Sequence, residues 1–113
     1  MTTTLNSFSS ETQLTTSPAT IVSTGTSETK FLGNVTLTNT SSANVEVYLW
    51  RVASATTETT GSGGNWIYKK AIPPGLTRVT GLPSHVLGPN MKLSAQAATA
   101  SVVNIDASGT TET

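Results

Sequence analysis

The chain has no cysteine, a single histidine and few charges: Lys and Arg total 6, Asp and Glu total 6, together 11% of residues. Without cysteine there is no disulfide framework, no thiolate metal site and no cysteine nucleophile, and either redox compartment is permitted. The lone His85 has no second ligand near it in sequence, and a transition-metal site needs several His, Cys or carboxylate groups converging. The cations Lys30, Arg51, Lys69, Lys70, Arg78 and Lys92 are scattered and balanced to zero net charge. They build no positive field able to hold a phosphate backbone, so no nucleic-acid partner is expected. The doublet Lys69-Lys70 reads as a solvated strand edge that discourages pairing. No apolar run approaches the length of a membrane helix, so no membrane partner is expected either. The opening MTTTLNSFSSETQL has neither the basic nor the apolar region of a signal peptide.

The same scarcity removes the usual catalytic constellations. A triad could be drawn from Ser84, His85 and Asp106, but adjacent Ser84 and His85 would point opposite ways in extended chain. No nucleophile elbow or oxyanion loop accompanies them. The six acids are too far apart in sequence to form a glycosidase pair. Gly61-Ser62-Gly63-Gly64 lacks the following Lys-Ser/Thr of a phosphate loop and reads as a flexible tip. The triplets Asn34-Val35-Thr36 and Asn39-Thr40-Ser41 match a glycosylation acceptor, as chance allows in a Thr-rich chain. The expectation is a non-enzymatic protein with no catalytic, metal or cofactor-binding residue.

What the chain has in quantity is threonine, about a fifth of its residues. Thr and Val are β-branched and fit a pleated surface, while helix formers are sparse. In KFLGNVTLTNTSSANVEVYLWRV, from Lys30 to Val52, Phe31, Val35 and Leu37 alternate with polar neighbours. The polar cluster Asn39 to Asn44 then reads as a turn, and Val45, Val47 and Leu49 form one face of a second strand. Tyr48, Trp50 and Val52 make that strand apolar on its other face too, which places it centrally or at an interface. Together the two strands read as a long hairpin. Further strands are expected at residues 20–23, 65–71, 76–82 and 91–97, with a last one from Val102 to Ala107 that forms a final hairpin with its predecessor. The stretch 53–64 reads as a loop too polar to order itself, and 82–89 as a compact corner bounded by Pro83 and Gly88, with room for one helical turn.

The fold class expected from this spacing is all-β, a single antiparallel β-sandwich, immunoglobulin-like or jelly-roll-like, of about seven or eight strands. A closed barrel is the alternative. The expected division is an extended N-terminal arm over 1–17, a sandwich domain over 18–109 and a polar tail over 110–113. The expected core is Phe31, Val35, Leu37, Val45, Val47, Leu49, Leu93, Val103 and Ile105. The arm is too polar to build a core and reads either as a flexible terminus or as an extended segment with Leu5, Phe8 and Leu14 spaced along it as pegs for a neighbouring subunit. At about 3.3 Å per residue it could span roughly 50 Å. These three residues, with Tyr48, Trp50, Trp66 and Tyr68, are the candidate interface residues. For Trp50, Trp66 and Tyr68 the commoner expectation is burial between the sheets, and the remaining alternative is a platform stacking on sugar rings.

Two blocks, TIVSTGTSETKFLGNVTLTNTSSANVEVYLW and AIPPGLTRVTGLPSHVLGPNMKLSAQAATASVVNIDASG, carry a resemblance over residues 19–109. The matching punctuation is Leu37-Thr38-Asn39-Thr40-Ser41, Pro74-Gly75, Val86-Leu87-Gly88-Pro89 and Ser94 through Gly109. In this order they resemble a family of small bacteriophage virion proteins. The resemblance implies a structural β-sandwich in a phage particle: a capsid decoration or cement protein on the outer surface, or a neck, tail or fibre-docking component. It further implies a homo-oligomer, the major capsid protein or tail and neck proteins as partners, synthesis in the host cytoplasm and residence in the virion. The long polar arm, the TTETTGSGG insertion and the Trp residues depart from the pattern.

Overall fold

A computed structural model describes residues 3–60, 64–81 and 85–113. Ser84, most of the Gly61–Gly64 tip and the start of the 82–89 corner lie outside them. The described residues form nine strands and no helix: β1 Thr3–Gln13, β2 Ala19–Ser23, β3 Thr29–Asn39, β4 Val45–Ala53, β5 Tyr68–Ile72, β6 Thr77–Gly81, β7 Val86–Leu87, β8 Met91–Ala97 and β9 Val103–Glu112. They make two antiparallel sheets packed face to face, as the strand spacing predicts. The first sheet runs β1-β9-β3-β6, with β7 also pairing β3; the second runs β2-β8-β4-β5.

The core lies between the sheets. Leu32, Val35, Leu37, Leu87, Val103, Ile105 and Ala107 face it from the first sheet. Val22, Val45, Val47, Leu49, Ile72, Leu93, Ala95 and Ala97 face it from the second. Burial of these branched side chains is the main drive to fold, about 1.5–3 kcal/mol for each fully buried Val, Leu or Ile.

Phe31 departs from the expected core. It is 39% exposed, and Leu32 is buried in its place. The cause is a break in register between Leu32 and Val35 on the β9 ladder. An extra residue in one strand reverses which parity points inward. Period-two alternation is therefore correct on each side of the bulge but not through it.

The two expected hairpins are also corrected. β3 and β4 lie in different sheets, and so do β8 and β9. The residues between each pair therefore form an arch from one sheet to the other, and the strands meet through side chains rather than a ladder. Asn39, fully buried, holds the first arch. Its Nδ2 donates to the carbonyls of Ala43 and Ile72, both at 2.8 Å, and its Oδ1 accepts from the Ser41 amide at 2.9 Å and hydroxyl at 2.7 Å. Its backbone is tied to the β5–β6 corner, where the Gly75 amide donates to the Asn39 carbonyl at 2.9 Å. Gly75 has φ +69°, a left-handed conformation that favours glycine.

The ends of the chain are more ordered into sheet than the polar composition implies. β1 pairs with β9 from Thr3 to Gln13, and β9 continues through the expected tail to Glu112. β9 is sandwiched between β1 and β3, so its Thr-rich end has backbone partners on both sides. The corner near Pro83 yields no helical turn in its described part; Val86 and Leu87 instead pair with Phe31 and Lys30 as β7.

Candidate functional site

β4 is central in its sheet, with β8 and β5 on either side. Alternation along it turns Tyr48, Trp50 and Val52 to the outer face. Trp50 is fully buried there because the described part of the 54–66 loop folds over it. The Trp50 indole N–H donates to the Thr59 carbonyl at 3.1 Å, satisfying the polar end of the ring. The described part of the loop is held by polar bonds, although its composition predicts no ordering by apolar burial. Asn65 Oδ1 accepts from the Thr59 amide at 2.9 Å and hydroxyl at 3.1 Å, and its Nδ2 donates to the Thr57 carbonyl at 3.1 Å. Glu58 pairs with Lys92 of β8 at 3.3 Å, with both side chains largely covered. Burial of Glu58 opposes ionisation. The Ser94 hydroxyl, its own backbone amide and the Lys92 ammonium outweigh that, holding its carboxyl below the usual range.

Tyr48 lies beside this covered stack. Its ring is parallel to Trp50, with centroids 5.6 Å apart, and meets Trp66 edge-on at 6.4 Å. Its hydroxyl donates to Glu46 Oε1 at 2.9 Å. Lys69 lies directly across the ladder from Tyr48, and its Nζ is 5.6 Å from the Tyr48 centroid and 5.7 Å from that of Trp66. An ammonium at that range is attracted to both ring faces. The cluster clips the loop to β5.

Of the candidate interface residues whose side chains are described, the structure brings together Tyr48, Trp50 and Trp66. Trp66 is the exposed member, at 36%. Tyr68 sits opposite Leu49 on the β4–β5 ladder and packs on the core side. Burial raises its phenol pKa, and nearby Arg78 partly offsets this. Trp50, Trp66 and Tyr68 therefore do not share an open face. Leu14 is also corrected: at 1% exposure it is part of the domain's own core. Its amide donates to the Val103 carbonyl at 2.9 Å, and its carbonyl accepts from Ser101 at 3.0 Å. Phe8 is half-buried against the core, with Lys30 Nζ 5.5 Å from its ring centre. For Leu5 the backbone is placed opposite Thr110.

The two most exposed large apolar residues described are elsewhere. Leu76 is 50% exposed and Val79 62%, both at the outer edge of the first sheet, on or beside β6. The alternation of LTRVTGL signals a strand, but not that β6 is an edge. A groove of about 540 Å³ opens between β1 and β2, lined in part by Ser7, Phe8, Ile21, Glu28 and Lys30. Lys30 crosses it, donating to the Ser23 carbonyl at 2.7 Å and lying 3.5 Å from Glu28.

Among the described residues no three His, Cys, Asp or Glu side chains converge as a metal site. His85 takes part in the fold through its carbonyl, which accepts from the Leu32 amide at 3.2 Å. The turn and strand motifs singled out in the sequence fall on structural hardware: Asn39 in the first arch, Gly75 in the β5–β6 corner, and the 94–109 block on β8, β9 and the arch between them. No family model, curated protein or solved structure matches the chain.

Proposed function

We propose that this chain is a non-enzymatic structural component of a bacteriophage particle, a decoration or cement protein that attaches in many copies to the outer capsid surface. The observation that carries the reading is Val79, 62% exposed on the edge strand β6, with Leu76 exposed just before that strand. An edge strand is normally guarded by charge, proline or a cover, and large exposed side chains on one mark a contact surface. The β5 edge of the other sheet is guarded by two charges, Lys69 and Lys70, whereas β6 carries one, Arg78, beside Val79. Near-neutral composition supports the same reading, since a protein held in an assembly needs little charge for solubility. The ordered succession of strand and turn motifs supports the phage assignment. A neck or tail position would use the same edge.

The test is attachment to phage particles stripped of their outer proteins. Val79→Glu and Leu76→Glu should leave the fold intact, because both side chains already face water, and should abolish co-sedimentation. Equal binding by wild type and both variants would contradict the proposed surface. Failure of the wild-type chain to bind, with sugar-dependent quenching of Trp66 fluorescence, would favour a carbohydrate-binding module instead.

A further inference from the structure

β1 is an edge strand held mainly from one side. Its ladder to β9 is its principal attachment, while its other flank borders the groove that separates it from β2. The ladder is interrupted twice, between Ser7 and Ser9 and between Ser9 and Thr12. Beyond the second break the chain is fixed: Thr12 and Gln13 pair with Ile105 and Asn104, and Leu14 is buried in the core. Before the first break, Thr3 to Ser7 pair in unbroken register with Glu112 to Ser108. Irregularities of this kind leave ladder bonds unmade and let a strand bend. They divide β1 into an anchored end and a separate outer segment.

The slot on β9 has a shape matched to that segment. Phe8 lies over Gly109, where an added β-carbon would come within 2.9 Å of its ring. The notch exists because Gly109 has no side chain. The Phe8 ring is partly buried and packs on the core, with Lys30 above it. A segment that fits this slot from within the chain fits it equally from a second copy, because the contacts are chemically identical.

We propose that residues 3–9 are exchanged between two copies of this chain, each giving its segment to the β9 slot of the other with the hinge at residues 10–11. Exchange costs only the advantage of having donor and slot on one chain, and that advantage disappears when copies are concentrated side by side. The partner is a second copy related by a two-fold axis running between the two β1 edges. The inference extends the assembly reading but does not depend on a phage particle, since it is tested on the purified chain.

The absence of native cysteine makes the test clean. Ser7 and Ser108 are directly opposed on the ladder and both exposed. Isotopically labelled Ser7→Cys chain is mixed with unlabelled Ser108→Cys chain, concentrated, oxidised and read by mass spectrometry. The expected result is a mixed disulfide dimer about tenfold more abundant than that from a control mixture of Ser42→Cys and Ser108→Cys, rising with concentration. The double variant Ser7→Cys/Ser108→Cys should close within one chain when dilute. Mixed dimer at the control level in concentrated protein overturns the proposal, and so does a folded double variant that never closes. If Ser7→Cys does not fold, Thr4→Cys with Thr111→Cys reads the same register.

Discussion

Gly109 lies so close to Phe31 across the β9–β3 ladder that a β-carbon at position 109 would run into the Phe31 carbonyl oxygen. This approach sits at the bulge that reverses the parity of β3. Gly109→Ala forces the two backbones apart and displaces Phe8 as well, so it should cost at least about 1–3 kcal/mol, the usual range for overpacking. Urea denaturation measures it. An unchanged midpoint would show that the bulge is placed wrongly.

The same bulge separates two residues that look alike in sequence. Leu37→Ala and Leu49→Ala each remove a fully buried side chain and should cost about 2–5 kcal/mol. Phe31→Ala, at a half-exposed position, should cost less than about 1 kcal/mol. Thermal melts of the three variants check the ordering. A Phe31 loss as large as that at Leu37 would restore the simple alternating reading.

Sequence reading succeeded where a rule is local. Val35, Leu37, Val45, Val47 and Leu49 are core residues because alternation holds within an uninterrupted strand. It missed features that depend on pairing. Nothing in Asn39 to Asn44 distinguishes a hairpin turn from an arch, since both use Asn and Ser to bond their own backbone. Leu14 reads as an interface peg because its covering partner, the β8–β9 arch, is distant in sequence, and burial of Trp50 comes from the described part of the 54–66 loop rather than from between the sheets. The Tyr48–Lys69 contact is likewise a register relationship, invisible until β5 is set against β4.

Asn39 bonds two carbonyls and accepts twice from Ser41 inside a fully buried site. Asn39→Ala leaves those carbonyls without donors, and each buried unsatisfied group costs about 1–3 kcal/mol. The variant should lose about 2–4 kcal/mol in urea denaturation. A loss below that of a typical surface substitution would show that the arch is held by other contacts.

Glu58 gives the loop a pH dependence. Its folded-state carboxyl is held below the ordinary glutamate range, so ionised Glu58 stabilises the fold above its unfolded pKa. That contribution is lost as pH falls through the folded value, when the Lys92 pair is neutralised. Stability from neutral to acidic pH should therefore fall more steeply in wild type than in Glu58→Gln, with Trp50 fluorescence reporting loss of loop cover. Parallel pH profiles would remove Glu58 as the clamp.

The most direct test of the proposed virion role is absolute quantification of this chain by mass spectrometry in washed, density-purified phage particles recovered from cells that produce it. A decoration protein on a symmetric shell should be present at on the order of hundreds of copies per particle, in fixed ratio to the major capsid protein. Absence of the chain from purified particles, with the protein found only in the infected-cell lysate, would contradict the proposed function.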